Sequence, residues 1–566
     1  NHMNTTIAAI STAVSASGIG IIRISGPEAM DVISRIYRSK GGKKKIKEYS
    51  RGMKMKLWKK VLAAVTAGVL CLGSVGVSGV QNMLESVETV FTASAYVINS
   101  YDGTYGDLYY SVTDTDEVKI SGCNETVESV EIPARIDGKR VTSIAKNAFY
   151  GCSDLTAITI PDSVTSFEGN AFSNLENLTA ITIPDSVTSI GESAFSGCTS
   201  LTKIAIPNSV TDIGGFVFSN CTNLESITLS DHLTSVGGYT FSGCTSLSAI
   251  TIPDSVTSIG QAAFSGCTSL TEITIPDSVT HIGWFVFCGC TSLTKITIPD
   301  SVTSIGNNAF RGCTSLTSIT IPDSVKSIEM ETFFGCTSLT EITIPDSVKS
   351  IGPKAFSGCT SLAEITIPDG MTEIVGSIFS DCTSLTSITI PDSVTRVGYC
   401  AFRGCTNLAE ITIPDNVTEI GEGVFSGCTS LTEITIPDSV TSIGQNAFGG
   451  CTSLTSITIP DNVTEIGYGA FDGCTGLTSI TIPDSVTSIG GHAFSETPWL
   501  AEKQEENPLV VVNGILIDGT TCTDNVVIPD SVPSIGEYAF DGCTSLISIT
   551  IPDSVTEMGY DVFRGC

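Results

Sequence analysis

The fold is decided by residues 270–292, which read LTEITIPDSVTHIGWFVFCGCTS. The pattern of this stretch returns every 23 residues, and its Phe287 belongs to a series that runs from Phe149 to Phe563 in the same steps. The series skips a single position, at Ile517. A fixed period of 20–50 residues is typical of a solenoid, in which each turn buries its apolar face against the next. The sequence therefore predicts a solenoid of 23-residue turns, here called rungs.

Each rung begins with a predicted strand. Ile273 and Ile275 alternate with polar residues, which indicates a strand with one buried face, and Pro276 ends it because proline cannot donate to a ladder. The next residue, Asp277, suits a tight turn in which its side chain bonds to its own backbone. We expect Phe287 to fill the interior from a short helical or 3₁₀ turn on the opposite side of the rung.

The end of that turn requires a left-handed residue. Gly289 stands at this position in the quoted rung, and glycine adopts positive φ at no steric cost. After glycine, asparagine and aspartate tolerate positive φ best. Other rungs place these residue types at the same position: Asn174, Asn220 and Asp381.

Charge divides the chain into two parts. Residues 1–97 carry 13 Lys/Arg against 5 Asp/Glu, whereas residues 98–566 carry 15 against 54, a net charge of −39. Within the basic part, residues 53–95 combine a lysine-rich start, an apolar run over 61–80 and the small residues Ala93 and Ala95. This order predicts a secretory signal peptide. The alternative is an uncleaved anchor, and the chain is expected to meet a membrane only through this segment.

Residues 1–52 precede the predicted signal peptide. Residues 4–48 contain the run GIGIIRISGPEAM over 18–30, and they resemble the N-terminus of the tRNA-modification GTPase family TrmE. The resemblance implies a formyl-folate-binding domain, of which only a short piece is present. The chain has no G-x-x-x-x-G-K-[ST] motif for a nucleotide phosphate. We interpret residues 1–52 as a truncated fragment, a cloning scar or part of a chimera; a retained folate-binding function is a further alternative.

The repeats, over residues 130–566, resemble the BspA-like leucine-rich repeat of bacterial surface proteins. The shared pattern is Leu-Thr-x-Ile-Thr-Ile-Pro-Asp-Ser-Val-Thr, as in the stretch from Leu270 to Thr280. The resemblance implies a leucine-rich-repeat superhelix, a β-rich solenoid with an α/β-type repeat and a parallel sheet opposite the short helical or 3₁₀ turns. It also implies a secreted or surface-attached protein that binds host matrix, other cells or extracellular polymers. Ser278 replaces the asparagine of the ordinary repeat, so no asparagine ladder is expected.

The domain organisation predicted from these features has a cap, an array and one irregular rung. Residues 96–130 should cap the first rung, because an open solenoid end exposes core and strand edge. Residues 131–566 form the repeats, with a variant rung at 495–525. Inside it, Asn513-Gly514 lies between apolar runs and predicts a tight hairpin. Since the repeats stop in mid-unit at Cys566, we expect the natural protein to continue.

A second ladder consists of cysteines placed three residues after the phenylalanines, and it includes 16 of the 21 cysteines. Secretion permits disulfides, but Cβ atoms one strand spacing apart on stacked rungs are farther apart than a disulfide prefers. Buried free thiols are therefore favoured. Cys288, Cys290 and Cys400 do not form a metal site by this interpretation.

The predicted strand presents an exposed face with a threonine column beside a mixed Glu/Lys column. We take this face as the candidate binding surface: Glu272, Thr274, Lys295, Thr297, Glu341, Thr343, Glu364, Glu410 and Glu433. The alternative is that threonine stands there only as a good exposed strand residue. The aspartates after each proline, such as Asp277, form a further column that serves turns or, as the alternative, holds calcium between rungs.

No catalytic arrangement stands out from the repetition. Three histidines of the repeats, His232, His281 and His492, occupy unrelated positions in their rungs. No Ser-His-Asp or H-E-x-x-H pattern is separable from the background. We therefore predict a non-enzymatic protein without cofactor or metal. The family resemblance and the predicted signal peptide imply a location outside a bacterial cell or on its surface. The expected function is adhesion through protein binding to host or neighbouring cells, with polysaccharide binding as the alternative and no nucleic-acid partner.

Overall fold

The computed structural model describes residues 101–566, which belong to one compact unit, Tyr96–Cys566. The predicted fragment 1–52, the predicted signal peptide 53–95 and the start of the cap at 96–100 lie outside the described residues. The repeats form a β-solenoid of 23-residue rungs with parallel strands, so the predicted fold class is confirmed. Each rung has three sides, which are named here after what they display.

The Thr face is the side formed by residues 272–274 and their equivalents. Ile273 is buried while Glu272 and Thr274 on either side of it are exposed, as the alternation predicts. Neighbouring rungs pair in parallel without a shift, with Ile273 opposite Ile296. The strands of this side are Ser129–Glu131, Ala157–Thr159, Lys203–Ala205, Ser226–Thr228, Ala249–Thr251, Glu272–Thr274, Lys295–Thr297, Ser318–Thr320, Glu341–Thr343, Ser387–Thr389, Glu410–Thr412, Ser456–Thr458, Ser479–Thr481, Asp524–Val527 and Leu546–Thr550.

The Ser face is the next side, formed by residues 281–282 and their equivalents. Its strands are two residues long in most rungs and also pair in parallel, with Ile282 buried. They are Lys139–Ile144, Ser166–Phe167, Ser189–Ile190, Asp212–Ile213, Ser235–Val236, Ser258–Ile259, His281–Ile282, Ser304–Ile305, Ser327–Ile328, Ser350–Ile351, Glu373–Ile374, Arg396–Val397, Glu419–Ile420, Ser442–Ile443, Glu465–Ile466, Ser488–Ile489, Ile515–Asp518, Ser534–Ile535 and Glu557–Met558.

The turn face closes the rung through residues 284–289 and their equivalents. The expected 3₁₀-type hydrogen bonds are present, since the Cys288 N–H donates to the Phe285 carbonyl. Continuous helix is not formed, because Phe285 has a φ of 58° and its N–H donates to Asn307 of the next rung. The predicted helical turn is thus a run of β-turns tied to the neighbouring rung. Gly289 is left-handed as predicted, with a φ of 70°, as are the equivalents that replace it: Asn174, Asn220 and Asp381.

The core is a column of stacked phenylalanines. From Phe149 to Phe494, consecutive ring centroids are 5.2 to 5.7 Å apart and the rings are nearly parallel. These rings are almost fully buried, and isoleucine, leucine and valine columns surround them. Since each rung exposes this apolar set unless another rung covers it, stacking supplies the burial that a single rung lacks.

Three antiparallel strands cover the N-terminal end of the stack: Gly103–Tyr105, Leu108–Val112 and Val118–Cys123. The third of them pairs in parallel with Lys139–Ile144 and so passes into the Ser face, and Arg135–Ile136 adds a short antiparallel pair. A disulfide joins Cys123 to Cys152 of the first rung. The ladder member Cys152 is therefore not a free thiol.

The variant rung contains the only α-helix of residues 101–566, α1, over Pro498–Glu506. Thr497 caps it by accepting from the Leu500 N–H, and Pro498 begins it. The predicted hairpin is confirmed: Val510–Val512 pairs antiparallel with Ile515–Asp518 through a turn at Asn513 and Gly514. Trp499 packs on Phe494 at 4.8 Å between centroids. The apolar core divides here into two clusters, one ending at Ile515 and one beginning at Leu516.

Over residues 101–566, no helix has the length and apolar character that a membrane crossing requires.

Candidate binding surfaces

The nine predicted binding residues all lie exposed on the Thr face. On adjacent rungs, Glu272 lies opposite Lys295 and Thr274 lies opposite Thr297 in the parallel strand pairing. Glu341 and Thr343 are the two exposed residues of one strand, on either side of the buried Ile342. Glu364 and Glu433 occupy the same repeat position but lie outside the regular strands of the described chain. The structure therefore brings the nine predicted residues onto one exposed surface.

Like charges recur along this surface. Glu341 and Glu364 stand on successive rungs, as do Glu410 and Glu433. One rung spacing is about 5 Å, a distance at which two carboxylates repel each other even near water. Among the described residues, none of these four glutamates has an ion-pair partner. A ligand that brings cations to this surface would relieve the repulsion.

Serine hydroxyls connect the rungs at the corner between the Thr face and the Ser face. The Ser278 hydroxyl donates to the Val256 carbonyl of the preceding rung at 2.5 Å. The Val279 N–H closes the local turn on the Pro276 carbonyl, and the exposed Asp277 carboxylate accepts no hydrogen bond from the described residues of this turn. The prediction that the aspartates hold these turns is thus wrong. The serine column is visible in the sequence, but only the structure shows that its hydroxyls connect neighbouring rungs.

The thiols form a further ladder through the core. The Cys290 Sγ–H donates to the Phe264 carbonyl at 3.2 Å, and the other buried rungs repeat this contact. Burial raises the pKa of Cys290 to about 12, because thiolate is disfavoured away from water. The prediction of buried free thiols is confirmed for the ladder members from Cys198 to Cys543, whereas Cys152 is disulfide-bonded and Cys566 is exposed.

Within residues 101–566, no group of three or more histidine, cysteine, aspartate or glutamate side chains converges in a way that could hold a metal ion. The aspartate column remains a row of exposed single side chains, interrupted by Asn208 and by the variant rung.

The turn face carries functional candidates that the sequence analysis missed. Two positions of each rung, those of Trp284 and Phe285, differ from rung to rung, although the residues around them repeat. The second position has positive φ throughout, from Asn147 at 58° to His492 at 57°. Bulky side chains rarely adopt this conformation. Aromatic residues nevertheless occupy it in four rungs: Phe216, Tyr239, Phe285 and Tyr538.

Farther along the turn face lies a buried ion pair. Arg311 bonds to Glu331 at 2.6 Å, and both side chains are more than nine-tenths buried. Lys354 stands 4.0 Å from the same carboxylate. The Arg311 guanidinium also covers the Phe334 ring, with 4.6 Å from Cζ to the centroid. This cluster satisfies its own charges, so it is a structural feature rather than an open site.

A second aromatic group forms where the variant rung interrupts the stack. Tyr538 lies 5.0 Å from His492 between ring centroids and 6.0 Å from Tyr468. The carboxylate of Asp541 is 3.9 Å from His492 Nε2, and Arg564 stands over Tyr538 at 6.0 Å. The interruption of the turn face between 494 and 540 is what makes these side chains neighbours.

The family comparisons agree with the repeat structure. The model for "BspA type Leucine rich repeat region (6 copies)" matches residues 121–248, 234–336, 280–409, 372–501 and 518–566, which is more than half of the chain. The model for "GTP-binding protein TrmE N-terminus" matches residues 6–71. The second match extends past residue 52 into the predicted signal peptide. Among curated proteins, none matches this chain.

Several solved structures are similar to this chain. A leucine-rich repeat protein from Bacteroides ovatus is 32% identical, with 80% of this chain and 100% of that chain covered and a TM-score of 0.49. A leucine-rich cell surface protein from Faecalibacterium prausnitzii is also 32% identical, with 67% and 94% covered and a TM-score of 0.39. A leucine-rich repeat protein from Eubacterium ventriosum is 25% identical, with 54% of this chain and 94% of that chain covered and a TM-score of 0.38.

Proposed function

Because this chain belongs to the BspA-type leucine-rich repeat family, we propose that it is a secreted or cell-surface bacterial protein that binds other proteins and thereby mediates adhesion. The observation that carries the proposal is the Thr face. Glu272, Lys295 and Glu341 stand exposed at the same position of their rungs, beside the column of Thr274 and Thr297.

A surface of this kind suits a large protein partner. The strands beneath it are held by parallel pairing, so their side chains keep fixed spacings over many rungs. Preorganised contacts lose less freedom on binding, which favours affinity over a long, shallow surface. The partner is a protein of host matrix or of a neighbouring cell; an extracellular polysaccharide is the alternative ligand.

The repeats themselves provide matched substitutions for a test. Serine occupies the position of Glu272 in other rungs, for example Ser226 and Ser318, so Glu→Ser changes there preserve the local structure. A Thr-face variant carries serine at five positions: Glu272, Glu341, Glu364, Glu410 and Glu433. A control variant carries Glu→Ser changes on the Ser face, where serine is the commonest residue: Glu373, Glu419 and Glu465.

The full chain and both variants would be titrated against immobilised matrix proteins, glycans and whole cells. We expect saturable binding to a protein, reduced at least about tenfold by the Thr-face variant and little changed by the control, since each lost interfacial charge contact of about 1 kcal/mol adds to the effect. Binding to glycans alone would favour the polysaccharide alternative. Equal binding by all three proteins would exclude the Thr face as the site.

Secretion has its own test. Residues 53–95 fused to a reporter in a bacterial host should carry the reporter across the membrane, and cellular fractionation would locate it. Retention of both the reporter and the native protein in the cytoplasm would contradict the proposed location.

A further inference from the structure

The Thr face is interrupted at the variant rung. Its strand Ser479–Thr481 pairs with Ser456–Thr458 of the preceding rung and with no strand after it, among the described residues. The next strand of this face, Asp524–Val527, pairs only with Leu546–Thr550 of the following rung. In the rung between them the chain forms α1 instead of a strand. This interruption is named here the Thr-face gap.

The burial of Ile480 shows that the Thr-face gap is not filled. Every equivalent of this inward isoleucine from Ile158 to Ile457 is buried, whereas Ile480 is only partly buried. The buried set includes Ile411, although the rung after it has no regular strand. The other partly buried member is Ile549, on the last rung of the described chain. Ile480 is therefore exposed as at an end of the stack.

The backbone of Ile480 points into the Thr-face gap. The neighbours of Ile480 bond to the preceding rung, since the Ser479 N–H donates to the Thr455 carbonyl and the Thr481 carbonyl accepts from the Ile459 N–H. Successive residues of a strand direct their backbone groups to opposite sides. The N–H and the carbonyl of Ile480 therefore face the gap, and none of the described residues bonds to them.

The far side of the Thr-face gap is also a strand edge. The Ile528 N–H donates to the Thr550 carbonyl of the following rung, so the backbone groups of Val527 point the other way, into the gap. The Val527 side chain is 65% exposed, at a position where regular rungs carry threonine. The gap thus has an unpaired edge on each side.

The elements next to the Thr-face gap touch only the ends of its first strand. The Trp499 N–H at the start of α1 donates to the Leu477 carbonyl at 3.0 Å. The Asn513 side-chain amide donates to the Pro483 carbonyl at 2.8 Å. An open cavity of about 420 Å³ borders the end of this strand and is lined by Asp461, Ile482, Pro483, Asp484 and Ser485.

The free edges determine the class of ligand. An unpaired strand edge presents N–H and carbonyl groups at a spacing that another extended polypeptide matches, and peptides bind to proteins by adding a strand in this way. The regular rungs show what such a segment supplies. In Lys295–Thr297, the inward Ile296 is buried between two exposed residues. A segment with one inward apolar residue would likewise cover Ile480.

Charge determines the character of the segment. Asp461 and Asp484 line the cavity, and Asp524 and Asp530 lie on the other side of the Thr-face gap; all four are exposed. The flanking residues 456–485 and 520–534 contain no lysine or arginine. These surroundings attract basic residues. A second copy of this chain is disfavoured, because residues 98–566 carry a net charge of −39.

We propose that the Thr-face gap binds an extended, basic segment of a partner protein, which pairs with the backbone of Ile480 as an added strand. This site goes beyond the proposed adhesion surface, whose charged residues lie between Glu272 and Glu433. It recognises the backbone of its ligand, whereas the adhesion surface would act through side chains. The two sites can therefore be tested separately.

The repeats provide matched peptides for the test. Residues 293–299 read LTKITIP and residues 270–276 read LTEITIP, so the two sequences differ only by lysine against glutamate. A third peptide is LTKITIP with N-methyl groups on the amides of the lysine and of the threonine after the first isoleucine, which removes two strand donors.

The capped peptides would be titrated into the full chain by isothermal titration calorimetry at low salt. We expect saturable binding of LTKITIP. LTEITIP should bind at least about threefold more weakly, because its charge is repelled by the aspartates. The N-methylated peptide should bind at least about tenfold more weakly, because it cannot form the added strand.

Two variants locate the binding. Ile480→Pro removes the donor that faces the Thr-face gap and should weaken LTKITIP about tenfold or more. Asp484→Asn combined with Asp530→Asn removes two flanking charges and should reduce the preference for LTKITIP over LTEITIP. Asparagine is accepted at this position of the rung, since Asn208 occupies it elsewhere.

Matched controls carry the same change away from the Thr-face gap. Asp277→Asn combined with Asp300→Asn lies in regular rungs, and Asp553→Asn lies on the last rung of the described chain, beside its own unpaired edge. Both controls should bind LTKITIP as the unmodified chain does. The Thr-face variant with five Glu→Ser changes should also bind it normally, so a failure of the adhesion proposal is distinguishable from a failure of this one.

Hydrogen exchange tests the gap without any substitution. The amide of Ile457 lies in the paired strand of the preceding rung, at the same position as that of Ile480. In the free chain we expect the Ile480 amide to exchange at least about tenfold faster than the Ile457 amide, and LTKITIP should slow it. An Ile480 amide as protected as that of Ile457 in the free chain would show that the gap is closed, and would overturn the proposal.

Other results would also overturn it. These are unchanged binding by Ile480→Pro, equal binding of the N-methylated peptide, and equal binding of LTEITIP. Self-association of the full chain that is lost in Ile480→Pro would assign the Thr-face gap to a second copy instead. If the proline variant unfolds, the peptide comparison and the exchange of the Ile480 amide decide the question.

Discussion

Two phenylalanines of one rung, Phe285 and Phe287, stand two residues apart and belong to different parts of the molecule. Phe287 is fully buried and stacks on its equivalents in both neighbouring rungs, at 5.7 and 5.4 Å. Phe285 is half-buried on the turn face, with positive φ. The position of Phe287 carries phenylalanine in almost every rung, whereas that of Phe285 carries a different residue in most rungs. The interior column is held by stacking on both sides, whereas the residues of the turn-face column vary, and we expect the stability of the solenoid to depend less on a half-buried member such as Phe285.

The largest effect should come from breaking the interior column. Phe310→Ala removes a fully buried ring that stacks at 5.4 and 5.5 Å on its neighbours. Such truncations leave a cavity and cost about 3–5 kcal/mol of unfolding free energy. Chemical denaturation of the full chain would measure the loss. A midpoint equal to that of the unmodified protein would show that the ring does not support the stack.

The next effect should come from the serine column. Ser301→Ala removes the hydroxyl that donates to the Val279 carbonyl at 2.7 Å. An acceptor left without a donor away from water costs about 1–3 kcal/mol. Thr303→Ala is the control, because its exposed hydroxyl makes a similar bond at 3.2 Å that water can replace. Equal losses in the two variants would contradict a specific role for the serine column.

The contribution of the thiol column to the free energy of unfolding should depend on pH. Burial raises the pKa of Cys290 to about 12 from an ordinary value of 9.0, so its contribution to stability is complete below pH 9 and declines between pH 9 and 12 as the unfolded chain ionises. At pH 10, about one pH unit above the unfolded pKa, this loss is roughly 1.4 kcal/mol.

The measurement compares Cys290→Ala with the unmodified chain by denaturation under reducing conditions. The difference in stability between the two proteins should be constant up to pH 8 and should shrink by about that amount at pH 10. A difference that is independent of pH would mean that the thiol is reachable by water in the folded state.

The smallest effect should come from the turn-face column. Phe285→Asn exchanges a half-buried ring for a residue that tolerates positive φ, so lost burial and relieved strain oppose each other. We expect stability to change by no more than about 0.5 kcal/mol, as for most surface substitutions. A loss comparable to that of Phe310→Ala would show that the turn-face column stabilises the solenoid as strongly as the interior column does.

The period of the chain allowed much of this to be predicted. The phenylalanine stack, the left-handed Gly289 and the buried thiols follow from local residue chemistry repeated at a fixed spacing, and the hairpin at Asn513 follows from a local Asn-Gly signal inside the variant rung. The boundaries at residues 52 and 95 remain predictions, since they lie outside the described residues.

Other features could not be predicted from the sequence, and each has a physical reason. Asp277 and Ser278 are adjacent and both bond readily to turns, so only the structure shows that the serine reaches the previous rung. The disulfide of Cys152 depends on Cys123, which lies outside the period. The positive φ at Phe285 was hidden because only six of its equivalents are glycine or asparagine, while the others include serine, alanine, lysine and aromatic residues. The β-turns of this side therefore appeared to be helical.

The sequence by itself determined the period, the residues of the core and the face on which the strand residues stand, because every rung repeats the same local pattern and must bury the same apolar set. The tertiary structure alone decided which surface residues become neighbours. Tyr239 covers one face of Phe216 because their rungs stack in register, and Tyr538 meets His492 because the variant rung adds no aromatic residue between them. Such contacts depend on backbone dihedrals and on the stacking of whole rungs, and neither is written in the local pattern of residues.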